Sequence, residues 1–275
     1  MKKFPILSMS MILAVAISSC DRAEEPLLTD ADPSSAKTTA EATKTFDDVA
    51  VMTEEAVIQY IENPEYDTYT FGECVTLIVD SVNTKITFDL GNAGCTGLDG
   101  ITRKGKIIAD YNGMPREAGS TLSITLENFS VDGYRVSGNF TYNAIAENAS
   151  GDLELAYSVS DGEYIEPDGD VLTFSCFRTF TWTAGMASEN LYDDVFTTSG
   201  GFTAGLNGDI YTGETKEEIV LASTCWADGI YYPTSGTWEL IFPDGIYRAI
   251  DYGSGDCDKT VVVTIGSRDY TYQLP

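Results

Sequence analysis

The sequence predicts an all-β domain, an antiparallel meander that forms a sandwich or a barrel-like body, with one short helix before it. Three observations carry this. Apolar and polar residues alternate with a period of two over most of the chain beyond about residue 70. Turn dipeptides interrupt the alternation again and again. Only one segment, near the N-terminus, keeps helical spacing instead.

Leu122, Ile124 and Leu126 alternate with Ser123, Thr125 and Glu127, and Tyr134, Val136, Phe140 and Tyr142 with Arg135, Ser137, Asn139 and Thr141. Val261, Val263 and Ile265 share one phase, as do Tyr270, Tyr272 and Leu274. Such alternation marks strands with one buried and one wet face. Asp-Gly pairs begin at 99, 132, 161, 168, 228 and 244, and Asn-Gly pairs at 112 and 207. These dipeptides accept the positive φ of tight hairpins. About a dozen twisted strands do not stay flat and open, hence a sandwich or a closed barrel.

The helical segment is 47–62. Val49, Met52, Ala56 and Tyr60 form its stripe, and Glu54, Glu55, Gln59 and Glu62 lie off it. Asp47 or Asp48 would cap it, and Asn63-Pro64 ends it. Residues 21–45 are rich in Ala, Thr, Ser, Asp, Glu and Pro and lack apolar periodicity, which reads as a disordered tether.

The first residues read as an export signal. Lys2 and Lys3 precede an apolar run from Phe4 to Ile17, followed by Ser18-Ser19-Cys20. That run is too short for a membrane span of about 20 residues and has the layout of a cleaved signal peptide, 1–19. Ile17-Ser18-Ser19-Cys20 resembles a lipobox, with Ile17 in place of the usual leucine. The resemblance implies an acylated (palmitate-bearing) Cys20 that anchors the chain to a membrane without a spanning helix. Asp21-Arg22-Ala23-Glu24-Glu25 resembles the surface-export signal of Bacteroidota lipoproteins, which implies an outer-membrane protein facing the exterior.

The formal charge is −27 and there is no histidine. The charge repels nucleic acid, so a nucleic-acid partner is not expected. The missing histidine removes a Ser-His-Asp triad, a Cys-His dyad and the usual His-bearing zinc sites. A carboxylate pair remains the available catalytic chemistry. No catalytic residue is assigned. Arg103-Lys104 with Lys106 is the one basic cluster, and its expected role is local ion pairing.

A weak repeat links two halves, about 70–145 and 200–275. Asp89 begins D-L-G-N-A-G-C and Asp251 begins D-Y-G-S-G-D-C. The cysteine ending each has another upstream in its own half. In an exported chain this predicts disulfides Cys74–Cys95 and Cys225–Cys257. Cys176, in phase with Leu172, Phe174, Phe180 and Trp182, is left as a buried thiol. The loop holding Asp251, Asp256 and Asp258 is the candidate metal site. Hard carboxylate oxygens beside glycines suit calcium, the one cofactor considered, and the alternative is a solvated turn stapled by the disulfide.

The runs CTGLDGITRKGKI (95–107), ITLENFSVDGYRVSGNFTYN (124–143), YYPTSGTWEL (231–240) and IDYGSGDCDKTVVVTIG (250–266) resemble uncharacterised Bacteroidota outer-membrane lipoproteins over roughly residues 70–275. That resemblance implies an envelope location and supplies no site residues. The expected function is a lipid-anchored, non-enzymatic binding, adhesion or structural component with a glycan or protein ligand. The alternative is a carbohydrate-binding or carbohydrate-processing surface lipoprotein. It would use exposed aromatics among Tyr231, Tyr232, Trp182, Trp226 and Trp238, or two facing carboxylates.

Overall fold

The helical segment extends well beyond its apolar stripe. In the computed structural model, which describes residues 33–64, 71–97, 99–188, 190–228 and 230–274, α1 runs Ser34–Glu62. Residues 34–45, expected as tether, are therefore its first three turns, Pro33 precedes them as the N-cap, and 21–32 lie outside the described residues. The helix ends where expected, with Asn63 N–H donating to Gln59 O at 2.9 Å. Asp47 and Asp48 lie in mid-helix rather than at a cap.

Thirteen strands follow: β1 (Thr76–Asp80), β2 (Lys85–Thr96), β3 (Thr102–Asn112), β4 (Thr121–Val131), β5 (Tyr134–Glu147), β6 (Leu153–Ile165), β7 (Val171–Ala184), β8 (Val195–Leu206), β9 (Asp209–Ala222), β10 (Ser235–Ile241), β11 (Tyr247–Ser254), β12 (Thr260–Ile265) and β13 (Arg268–Gln273). Each pairs antiparallel with its neighbours in chain order, so the fold is a single meander sheet. The curled sheet is not closed into a barrel: among the described residues, β1 and β13 are its ends and do not pair with each other. The proposed halves form one continuous sheet.

The sheet curls around α1. Among the described residues, the helix packs on β3, β4, β7 and β11. Tyr157 of β6 donates to Phe46 O at 3.2 Å, and Thr39 shares a 2.5 Å hydrogen bond with Tyr211 of β9. The Phe46 ring lies 5.9 Å from Phe140 of β5 and stacks 4.8 Å from Phe174 of β7. Partners on so many strands explain why 20 of the 29 helix residues are buried. Those twenty include Glu54 and Glu55, which the stripe had placed on its open side.

Bulges let the sheet bend this far. Register breaks occur in every pairing from β2–β3 to β7–β8, and again in β9–β10 and β10–β11. Each adds local twist to its strand. Asp161-Gly162, expected as a turn, is one of them: Asp161 has φ 52° inside β6. A Cβ on Gly162 would lie 2.7 Å from Phe174 O and 3.2 Å from Phe46 Cζ, so the absent side chain is what lets the helix seat against β6. Other predicted turns stand. Asp132-Gly133 joins β4 to β5 and Asn207-Gly208 joins β8 to β9, with positive φ at both residues of each pair.

A polar helix can occupy this core because most of its buried polar groups find partners, Thr43 Oγ1, Glu55 Oε1 and Gln59 Oε1 being the exceptions. The hydroxyls of Thr39, Thr45 and Thr53 donate to the carbonyls of Ser35, Glu41 and Val49, four residues back. Lys37–Glu41 and Lys44–Asp48 pair along the helix. The sheet supplies the remaining counter-charges.

Candidate functional site

Three arginines of the sheet side neutralise the acidic interior. Arg178 of β7 is fully buried and grips the carboxylate of Asp47 with both terminal nitrogens. Its guanidinium also lies 4.9 Å from the Tyr157 ring and 5.7 Å from that of Trp238. Arg116, in the β3–β4 loop at φ 68°, donates through Nε to Glu54 at 3.0 Å and through NH1 to Asp194 at 2.7 Å. Trp182 Nε1 donates to the second Asp194 oxygen at 3.1 Å. Arg103 of β3 makes a forked pair with Asp99 at 3.1 and 2.6 Å. The bidentate pairs of Arg178 and Arg103 are what planar guanidinium geometry favours, and Arg116 instead bridges two carboxylates.

Burial dominates the titration of three helix acids, Asp47, Asp48 and Glu55. It pushes Asp47 up, while Arg178 pulls it back. Burial raises Asp48 to about 6 against the opposing pull of Lys44. Glu55 is raised to about 8, chiefly by burial, and Arg116 only partly offsets this. Glu55 Oε1 and Arg116 NH2 are both buried without a hydrogen-bond partner. This constellation holds the fold together and is closed to ligands. Two recesses beside the helix offer only about 10 Å³ near Asp48, Trp226 and Tyr231, and about 40 Å³ near Glu41, Tyr134 and Tyr232. Room on that scale suits single waters.

An open recess lies on the outer face of β7–β9, a shallow groove of about 450 Å³ that runs from Ser175 and Phe177 across Gly201 and Thr203 to Thr212 and Glu214. Strand register sets it and its surroundings in three cross-strand rows, of which the first two, up to β9, line the groove. Phe177, Gly201, Glu214 and Glu239 form the first, and Ser175, Thr203, Thr212 and Ile241 the second. Thr173, Gly205 and Ile210 form the third. Gly201 and Gly205 present no side chain to the outer face, so the floor of β8 sinks between its neighbours. Phe177 stands at one corner with 69% of its surface exposed, and Ile210 and Ile241 are exposed at the other side. Glu214 and Glu239 sit directly opposite each other on β9 and β10. Like charges so placed destabilise a sheet, which makes this an arrangement kept at a cost.

The expected disulfides, Cys74–Cys95 and Cys225–Cys257, are formed, and Cys176 is a buried free thiol. Burial pushes that thiol up, away from the reactive thiolate. The two repeat turns share their geometry: Asp89 Oδ1 accepts from Gly91 N–H at 3.0 Å, and Asp251 Oδ1 from Gly253 N–H at 2.7 Å. The structure does not bring Asp251, Asp256 and Asp258 together as a calcium site. Asp251 is committed to its turn and Asp258 accepts from Thr260 N–H at 2.7 Å, so two of the three cap local backbone. Among the described residues, no group of three acidic, Cys or His side chains is placed to hold a metal. Trp226, Tyr232 and Trp238 are core residues, while Trp182 and Tyr231 are half-buried. Cys20 lies outside the described residues. Sequence reasoning missed the groove. Its signal was the apolar residue at an outward phase, Phe177 between Cys176 and Arg178, facing a strand with glycine at 201 and 205.

The chain matches no known family, curated protein or solved structure.

Proposed function

We propose that this chain is a lipid-anchored, non-enzymatic binding protein of the cell envelope, displayed at the outer-membrane surface, and that the β7–β9 groove contacts a glycan. The observation that carries the ligand class is the exposed Phe177 ring at the rim of a groove lined by hydroxyls and carboxylates. An aromatic face suits the apolar C–H face of a sugar ring. The hydroxyls of Ser175, Thr203 and Thr212 and the carboxylate of Glu214, with Glu239 beside it on β10, supply donors and acceptors for its hydroxyls. Shallow sites with a few well-placed polar groups around an apolar contact give orientation and specificity. The acidic surface favours a neutral or cationic sugar over a sulfated or uronic one.

Glycan-array screening followed by titration of the best ligand tests this. Phe177→Ala is expected to weaken binding by about tenfold or more, the equivalent of about 1.4 kcal/mol. Its stability should stay within about 0.5 kcal/mol of the parent, because the ring is exposed. A glycan that binds Phe177→Ala as well as the parent contradicts the groove assignment.

Anchoring rests on the Lys2-Lys3, apolar run and Cys20 sequence. Cys20→Ala is expected to abolish incorporation of labelled palmitate and release the protein from the membrane fraction. Unchanged labelling would show that the lipid sits elsewhere or is absent.

A further inference from the structure

The two ends of the open sheet are built differently. The β13 end carries Arg268, Asp269 and Gln273, charged and polar side chains of the kind that discourage edge-to-edge pairing. The β1 end reads Thr76-Leu77-Ile78-Val79-Asp80, with β2 as its only strand neighbour among the described residues. Ile78 is 51% exposed, Val79 37%, and Val82 at the hairpin tip 89%. The one charge on this strand does not guard it. Asp80 is folded into its own turn, accepting from Val82 N–H and Asn83 N–H at 3.1 Å each and from Asn83 Nδ2 at 2.7 Å. Just before the strand, Cys74 is bonded to Cys95, which fixes the edge in place before any partner arrives.

Two further features point to a second copy of the same chain as the partner. First, the strand is symmetric in chemistry about Ile78. In an antiparallel pair with a two-fold axis there, Ile78 faces Ile78, Leu77 faces Val79, and the Thr76 hydroxyl faces Asp80. That is the self-complementarity an isologous contact needs. Second, residues 76–112 carry four basic side chains (Lys85, Arg103, Lys104, Lys106) and four acidic ones (Asp80, Asp89, Asp99, Asp110). All of the −27 therefore lies elsewhere in the chain. Two copies repel one another over most of their surface and can meet at β1–β3 without that penalty.

We infer that β1 is a self-association edge, through which two copies pair strand to strand and join their sheets into one. The inference is independent of the glycan groove, which lies on the outer face of β7–β9.

The test uses the full chain in its native membrane, in a Cys176→Ser background. Opposed residues of an antiparallel pair have Cα atoms about 4.5–5.5 Å apart. A disulfide accepts about 4.4–6.8 Å. Ile78→Cys should therefore give a cross-linked dimer as the main species under mild oxidation. Val82→Cys is more exposed but lies off the axis, and should cross-link several-fold less. Equal cross-linking of the two would indicate random collision and overturn the proposal. So would a monomeric Ile78→Cys whose two native disulfides remain intact. A second arm uses no added thiol: Ile78→Lys in detergent-solubilised full chain should lower the dimer fraction at least tenfold, and a persisting dimer would also overturn it.

Discussion

Replacing Arg178 by alanine is expected to cost about 3–5 kcal/mol, a large part of the roughly 5–15 kcal/mol that holds a domain folded. The change leaves the Asp47 carboxylate in the middle of the curled sheet without its bidentate partner. It also removes the guanidinium from among Tyr157, Phe180 and Trp238. The cost comes mainly from the stranded charge, not from the net worth of the pair. The double variant Asp47→Leu with Arg178→Met should therefore recover most of the loss, since apolar replacements of a buried pair are often neutral or better. Denaturant unfolding followed by tryptophan fluorescence checks both, Trp238 being the reporter beside Arg178. A loss under about 0.5 kcal/mol for Arg178→Ala would show that water reaches Asp47.

Glu55→Gln is expected to work in the opposite direction. Burial raises Glu55 to about 8 from an ordinary value near 4.5. Between those values the folded chain holds a proton that the unfolded chain has released. Folded protein binds more protons, so stability falls as pH rises across that window, by up to about 1.4 kcal/mol per pH unit. Below the lower value the penalty is absent, and above about 8 it is complete. Asp48, raised to about 6, adds the same sign over a lower and narrower window. Glutamine keeps the shape and cannot ionise. The variant should match the parent near pH 5 and exceed it by a few kcal/mol near pH 9, measured as the difference in unfolding free energy. Parallel pH profiles for parent and variant would mean that Glu55 is ionised and solvated in the folded state.

Much of the sheet was legible because its chemistry is local. Val261, Val263 and Ile265 alternate since they line one face of β12, and Asn207-Gly208 marks a hairpin since both residues need positive φ. The disulfides followed from two matching turns, and those turns do share an Asp-to-glycine hydrogen bond. The first half of α1 was not legible. Ser34 to Thr45 carries no large apolar side chain: it buries Ala36, Ala40 and Ala42 and satisfies its threonines through carbonyls within the helix and through Tyr211. Local composition reads such a segment as solvated, and only the tertiary fold reveals it as core. Asp47 and Glu54 were misplaced for the same reason: their partners Arg178 and Arg116 lie 131 and 62 residues away. Asp161-Gly162 looked like any other turn pair. What distinguishes it is the approach of Phe46 from the helix, which no window around residue 161 contains. Closure was over-called, since alternation fixes the faces of strands and not whether the first meets the last.

The central claim is that α1 is the core around which the sheet curls, and that its turns from Ser34 onward belong to that core as fully as the apolar stripe does. Native-state hydrogen exchange of the full chain, read by mass spectrometry, tests it most directly. Amides from about Thr38 to Ile58 should exchange only through global unfolding, with the same protection as the strands that enclose them. Arg178→Ala should lower protection of helix and sheet together. Exchange of residues 38–45 within seconds, while the strands stay protected, would make that stretch a tether and contradict the account.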